Sequence, residues 1–272
     1  MEIKTITSRS NPLIIESAKL SDRKYRDKSG RFFFEGRKLF LDAAAAGVEL
    51  CEIFVTEEYL AEYGNELENY RVNAVSRPVF EKICTEKSPQ GIICIAKHLD
   101  NYHKFITIYN GGGDADFDPR AHRMMVCGMQ DPGNLGTVIR SACALGVSEL
   151  ILDGRCADLY HPRTVRAAMG ALFRQRITVC GDAVQTIRAL QQCGCRLLAA
   201  ALTPNAVRLD RMTLTPECCF IIGNEGHGLD PEILAAADGS VLIPMREGSE
   251  SLNASAAAAV LLWHRFAQYP QF

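Results

Sequence analysis

The second half of this chain is punctuated by short apolar runs: Met124–Met129, Glu149–Leu152, Ile177–Cys180, Arg196–Leu202, Cys218–Ile222 and Ser240–Pro244. A strand with one wet face alternates polar and apolar residues. Strands of a parallel sheet are covered on both faces and read as near-continuous hydrophobic segments. Between the runs lie stretches with helical spacing, at about Leu135–Leu145, Arg163–Phe173, Ala183–Cys193, Pro231–Ala237 and Leu252–Phe266. Strand and helix taken in turn predict an α/β fold, a mostly parallel sheet with helices on both faces.

The first half repeats the alternation on a smaller scale. Arg31–Glu35, Glu52–Thr56, Arg71–Val75 and Gly91–Ala96 read as strands, and Asn11–Leu20, Arg37–Ala46, Glu57–Tyr63 and Pro78–Thr85 as helices. The two halves are separated where Gly111, Gly112 and Gly113 are followed by Asp114, Asp116, Asp118 and Pro119. Such a run supports neither helical nor strand periodicity. The expected division is a small α/β domain over 1–100, a linker over 101–121 and a larger domain over 122–272. The glycine triplet lacks the lysine and spacing of a phosphate loop, and its aspartates would repel a phosphate.

Composition removes several function classes. With 30 Lys+Arg against 32 Asp+Glu, the formal net charge of -2 excludes a histone-like polycation but leaves room for a local basic patch. Eleven cysteines, an odd number with no C-x-x-C pair, give no zinc or disulfide framework, so no metal is expected. Most sit in apolar runs as small hydrophobes, as expected of reduced thiols in a cytoplasmic protein. The N-terminus lacks the apolar segment of a signal peptide, and no stretch approaches the ~20 apolar residues that span a bilayer. A soluble protein with no membrane partner is expected.

Three loops combine glycine with a few polar groups at the carboxyl ends of strands, where open α/β sheets bind ligands. The first is Gln130–Arg140, in which Asn134 reads as a helix cap and Arg140 stands nearly two turns into the helix among apolar residues. Arg140 could equally snorkel to the surface. The second, Gly223–Asp230, holds Glu225 among closely spaced glycines, and its His227 reads as an ordinary loop residue. The third, Ile243–Asn253, leads into an alanine-rich helix. There Ser251 suits a cap, while Asn253, a poor helix former, needs another reason to be present. Two one-sided basic stretches complete the picture: Arg163–Arg176 with four arginines and no acid, and Lys19–Lys38 with eight basic residues against three acidic ones. Such patches suit a nucleic-acid backbone.

Taken together and in order, the segments DPGNLGTVIRSACALGV, IIGNEGHGLDPEIL and IPMREGSESLNASAAAAVLLW resemble the three signature motifs of the SpoU (TrmH) family of RNA 2'-O-methyltransferases, of the SPOUT class. The stretch Arg163–Arg176 is similar to a further family segment, with Leu172 before Phe173. SRSNPLI with KLSDRKYRDKSGRFFFEGRKLFLDA resembles the L30e-like substrate-binding domain that some members carry. The resemblance implies a deep trefoil knot in the C-terminal domain, an exception to the unknotted rule. It also implies S-adenosylmethionine as cofactor and a homodimer whose sites are completed by the partner. Gly223, Ile243 and Leu252 fall on cofactor-contacting positions, joined by Leu202. Asn134, Arg140, Glu225, Ser251 and Asn253 fall on the polar positions around the reacting ribose. Lys24, Arg26, Arg31 and Arg166 are the expected RNA contacts.

A ribose 2'-hydroxyl must meet an activated methyl group and lose a proton. A guanidinium is protonated at pH 7, so Arg140 is expected to stabilise the developing alkoxide rather than act as a simple base. Members with an L30e-like domain act more often on large-subunit rRNA than on tRNA, and DNA is not an expected partner. The competing readings are a tRNA methyltransferase and a non-catalytic RNA-binding or assembly module. Gly223→Val is expected to place a side chain against the cofactor.

Overall fold

Phe32, Phe33 and Phe34 are consecutive and all buried, which a strand achieves only when both of its faces are covered. They form strand β2 (Arg31–Glu35) of a five-stranded mixed sheet that also holds β1 (Glu2–Ile6), β3 (Leu50–Val55), β4 (Arg71–Val75) and β5 (Ile92–Lys97), in the order β1-β4-β3-β5-β2. The structure is a computed structural model and describes residues 2–100, 102–104, 118–246, 248 and 251–270. Its backbone divides into two units, Met1–Leu99 with Asp158–Phe173 and Asp100–Ala157 with Arg174–Phe272.

In the first unit, Phe33 faces a cluster with Ile14, Val79 and Phe80, contributed by helices α1 (Pro12–Lys19) and α5 (Arg77–Ile83). Helix α3 (Arg37–Ala45) follows β2, and α4 (Glu57–Tyr63) follows β3. On the other face of β2 the rings of Phe32 and Phe34 meet Tyr160, at 4.5 Å, and Phe173, at 5.2 Å. That face is therefore covered by a segment distant in sequence, Asp158–Phe173. Each buried phenylalanine contributes on the order of 1.5–3 kcal/mol relative to exposure.

Two elements of this unit carry no hydrophobic period. β1 is exposed except at Ile6. Helix α2 (Arg23–Ser29) is polar nearly all round and is delimited by its ends: the Asp22 side chain caps Lys24 N–H, and Gly30 closes it at φ +62°. The helix expected over Arg163–Phe173 is α7 (Pro162–Ala168) followed by a 3-10 turn, Met169–Phe173. The break falls at Met169, whose φ of +51° no α-helix accommodates.

The second unit is an eight-stranded sheet whose pairings are all parallel among the described residues. Its strands are β6 (Tyr102–Lys104), β7 (Arg123–Val126), β8 (Glu149–Asp153), β9 (Ile177–Cys180), β10 (Arg196–Ala200), β11 (Val207–Arg208), β12 (Cys218–Ile222) and β13 (Gly239–Leu242), in the order β11-β13-β10-β12-β7-β8-β9-β6. β6 lies within the stretch expected to be linker and pairs with β9. The rest of that expected linker up to residue 117 lies outside the described residues. Helices α6 (Pro132–Ala144), α8 (Ala183–Gln192), α9 (Pro231–Ala236) and α10 (Ala254–Gln268) complete the unit. α8 and α9 pack on one face through Ile187, Leu190 and Ile233, and α10 lies against α6. Because the strands are parallel, the connections leaving β7, β10, β12 and β13 all emerge at one edge.

Candidate functional site

At that edge the loop after β12 is folded by one side chain. Asn224 accepts from Gly226 N–H at 2.7 Å and from His227 N–H at 3.3 Å, and its amide donates to the Gly128 carbonyl after β7 at 2.8 Å. Asn224 and Gly228 exchange backbone hydrogen bonds at 3.0 Å in both directions. Gly128 N–H in turn donates to Asp153 at the end of β8, at 2.8 Å. Arg155 binds Asp153 at 2.9 Å and Asp230, the N-cap of α9, at 2.5 Å. The hydrogen bonds to Asp230 and Asp153 push the Arg155 guanidinium further above its ordinary range. The loop Gly223–Leu229 is thereby held at both ends.

Glu225 projects from this loop, exposed, and accepts a 2.8 Å hydrogen bond from the Asn134 amide. The Asn134 carbonyl oxygen accepts from the Asn253 amide at 3.0 Å, and the Ser255 hydroxyl lies 3.3 Å from it. Asn134 is thus the hub of a polar network joining the starts of α6 and α10 to the Gly223–Leu229 loop. Neither helix is capped as its sequence suggests. Asp131, not Asn134, caps α6, accepting from Asn134 N–H at 2.8 Å, so the Asn134 side chain is free for tertiary bonding. Asn253, not Ser251, caps α10, accepting from Ser255 and Ala256 N–H. Capping is the reason for Asn253 that helix propensity leaves open.

Of the five expected ribose-side residues, the structure joins Asn134, Glu225 and Asn253. Ser251 is exposed and outside the network. Arg140 is exposed on α6, six residues beyond Asn134 and therefore about 9 Å further along the helix axis. Two polar residues of this edge were not expected, Ser255 in the network and Asn224, which folds the loop that carries Glu225. An Asn followed by two free N–H groups in a glycine loop is the signal for Asn224. Ser255 is hidden in an alanine run.

The expected cofactor positions follow the ends of neighbouring strands. Leu202 stands two residues after β10, Gly223 one after β12 and Ile243 one after β13. β10 pairs with both β12 and β13, which makes these exits adjacent. Leu202 is 81% exposed and Leu252 41%. Both are large apolar side chains left open to solvent. What a side chain at Gly223 would meet differs from expectation. A Cβ there would lie 2.4 Å from the Gly228 backbone and 2.7 Å from Leu229 N, so a side chain would break the loop itself before meeting any ligand.

The expected RNA contacts divide. Lys24 and Arg31 are exposed. Arg166 is half exposed and paired with Glu86. Arg26 is a correction: it is 2% exposed and turned inward, bonded to Asp158 at 2.5 and 3.2 Å and to the Leu20 and Ser21 carbonyls. A guanidinium buried in this way holds the first unit together and does not meet a phosphate.

Comparison with known proteins bears on the family and the fold. The sequence pattern of the SpoU rRNA Methylase family matches residues 121–263, and that of the MRM3-like substrate binding domain matches residues 11–94. A 23S rRNA (guanosine(2553)-2'-O)-methyltransferase of Bacillus subtilis is 28% identical over 263 residues, covering 96% of this chain and 99% of the relative. A crystal structure of an RNA 2'-O ribose methyltransferase matches with a TM-score of 0.81 and 31% identity, covering 97% of this chain and 99% of that one. An AdoMet-bound rRNA methyltransferase from Sinorhizobium meliloti matches with a TM-score of 0.81 and 26% identity, covering 99% of each chain.

Proposed function

The chain belongs to the SpoU rRNA methylase family, and from that premise we propose that it transfers a methyl group from S-adenosylmethionine to a ribose 2'-hydroxyl of large-subunit ribosomal RNA. The observation that carries the reading is the Asn134 hub, which gathers Glu225 and Asn253 at the edge where the parallel strands end. When bound, S-adenosylmethionine supplies the activated methyl. The Gly223–Leu229 loop, Ile243, Leu202 and Leu252 are the residues that would hold it.

The protein's own residues supply position and charge. One Glu225 oxygen is held by Asn134, and the other has no partner among the described residues, leaving it to accept the 2'-hydroxyl hydrogen. Asn134 fixes where that carboxylate points, which is the kind of preorganisation that replaces entropy lost in solution. The Arg140 guanidinium, exposed and without a carboxylate partner among the described residues, stabilises the oxygen as the proton leaves and holds the neighbouring phosphate. Lys24 and Arg31 on the first unit take the RNA backbone. The proposed compartment is the cytoplasm. Among the described residues, no helix is long and apolar enough to cross a membrane.

The proposed working unit is a homodimer. α10 carries an exposed stripe of Ala256, Val260, Trp263 and Ala267, which supports a helical contact surface. The strand order, with β10 between β12 and β13 rather than beside β9, supports the trefoil knot that the resemblance implies.

Arg140→Lys tests the chemical assignment. A lysine keeps the charge but not the planar fork, so turnover should fall on the order of a hundred-fold. S-adenosylmethionine affinity by calorimetry should be unchanged, because Arg140 lies outside the loops proposed to hold the cofactor. Near-normal methyl transfer by this variant would remove Arg140 from the mechanism.

A further inference from the structure

We propose that Ser255 is a positioning residue for methyl transfer, its hydroxyl donating to the Asn253 carboxamide oxygen and so holding Asn253 in the orientation from which it fixes Asn134, and Asn134 in turn Glu225. The proposal rests on the methyltransferase reading and assigns a role to a residue outside the polar set identified by the motifs.

The hydrogen-bond inventory fixes the direction of the network. The Asn253 side-chain oxygen meets three donors: Ser255 N–H at 2.9 Å, Ala256 N–H at 3.3 Å and the Ser255 hydroxyl at 2.6 Å. It must therefore be oxygen, and the Asn253 amide nitrogen necessarily faces Asn134. That nitrogen donates to the Asn134 oxygen, which turns the Asn134 amide nitrogen towards the Glu225 carboxylate. Reversing Asn134 would set amide against amide on one side and oxygen against carboxylate on the other. The orientation thus runs from the α10 cap, through two carboxamides, to the carboxylate that faces the substrate.

The Ser255 side chain adds a hydroxyl donor to the two N–H donors that hold the Asn253 oxygen. Its hydroxyl has one hydrogen, given to Asn253 over the shorter contact, and it also sits 3.3 Å from the Asn134 oxygen. The 3.0 Å bond from the Asn253 amide ties the start of α10 to Asn134 of α6, and the Ser255 hydroxyl acts on it by holding the Asn253 carboxamide in the orientation that makes that bond. The residue is 8% exposed and lies in a run where the neighbouring buried positions, Ala254 and Ala258, are alanine, so packing alone asks only for alanine there. Alanine is also the better helix former. A hydroxyl buried at this point acts through its hydrogen bonds.

These facts separate a positioning role from a structural one. The experiment uses the full chain, tritiated S-adenosylmethionine and total ribosomal RNA from cells lacking the protein. Ser255→Ala should lower kcat roughly ten- to a hundred-fold, with KM for RNA, cofactor affinity by calorimetry and melting temperature unchanged. In an Asn134→Ala background the same substitution should have no further effect, because the group it positions is gone. Wild-type kcat in Ser255→Ala, an additional loss in the Asn134→Ala background, or loss of cofactor affinity with turnover would each overturn the proposal. An inert wild-type protein would instead count against the methyltransferase reading on which it rests.

Discussion

His122, one residue before β7, is almost wholly buried and donates from Nδ1 to the Leu145 carbonyl at 3.2 Å, while Nε2 has no partner among the described residues. Burial, reinforced by the nearby Arg265 guanidinium, lowers its pKa from 6.5 to about 3. The native state therefore keeps this ring neutral where the unfolded chain protonates it. Between about pH 6.5 and 3 the unfolded state binds more protons, so stability is fully present above that window and is lost as pH falls through it, at about 1.4 kcal/mol per unit. His122→Gln keeps a donor for Leu145 but cannot titrate. In urea denaturation between pH 4.5 and 6.5 its stability should fall less steeply than the wild type's; parallel curves would contradict the assignment. Other single residues show where local rules stop. Asn134 and Asn253 were recognisable from their motifs, but the caps are Asp131 and Asn253, each accepting from N–H groups two or three residues on, while the Asn134 side chain bonds across the fold. Arg26 sits in a basic run that reads as a solvated face, and only Asp158, brought from far along the chain, makes it an interior residue.

Helix α10 shows how one element can serve several surfaces. Leu261, Leu262 and Ala258 are buried, Asn253 and Ser255 join the Asn134 network, and Trp263, 59% exposed, stands on the open side with Val260. A tryptophan left in water on an otherwise alanine-rich helix is a strong contact residue. If the proposed dimer forms through this face, Trp263→Glu should leave the fold intact and shift sedimentation equilibrium from the dimer mass towards the 30.0 kDa chain mass, with turnover falling in step. A wild-type protein sedimenting as a monomer, or an unchanged assembly in the variant, would contradict the dimer. The central strands of the larger sheet announce themselves in the sequence because burial on both faces favours apolar runs, as in β12, whereas β6 and the exposed β11 do not. β1 and α2 do not, since exposed edge strands and polar helices are specified by pairing and caps rather than by hydrophobic period.

At the scale of the molecule, sequence order and packing order differ. Asp158–Phe173 connects β8 to β9 and falls within the matched methylase pattern, yet it covers Phe32 and Phe34 of the first unit. No contiguous division could anticipate this, because the complementary aromatic residues lie more than a hundred positions apart. The larger parallel sheet and its three glycine-bearing loops were readable in advance, as each depends on short-range pattern. The Asn134 network was not, because it depends on which loops the sheet brings together. The central claim is that this network serves ribose methylation. The direct measurement is a map of 2'-O-methyl groups on ribosomal RNA incubated with the purified chain and S-adenosylmethionine. The account predicts a new 2'-O-methyl at a defined nucleotide of the large-subunit RNA, formed far more slowly when Arg140→Lys replaces the wild type. Methylation confined to a base, or an unmodified RNA despite bound cofactor, would contradict it.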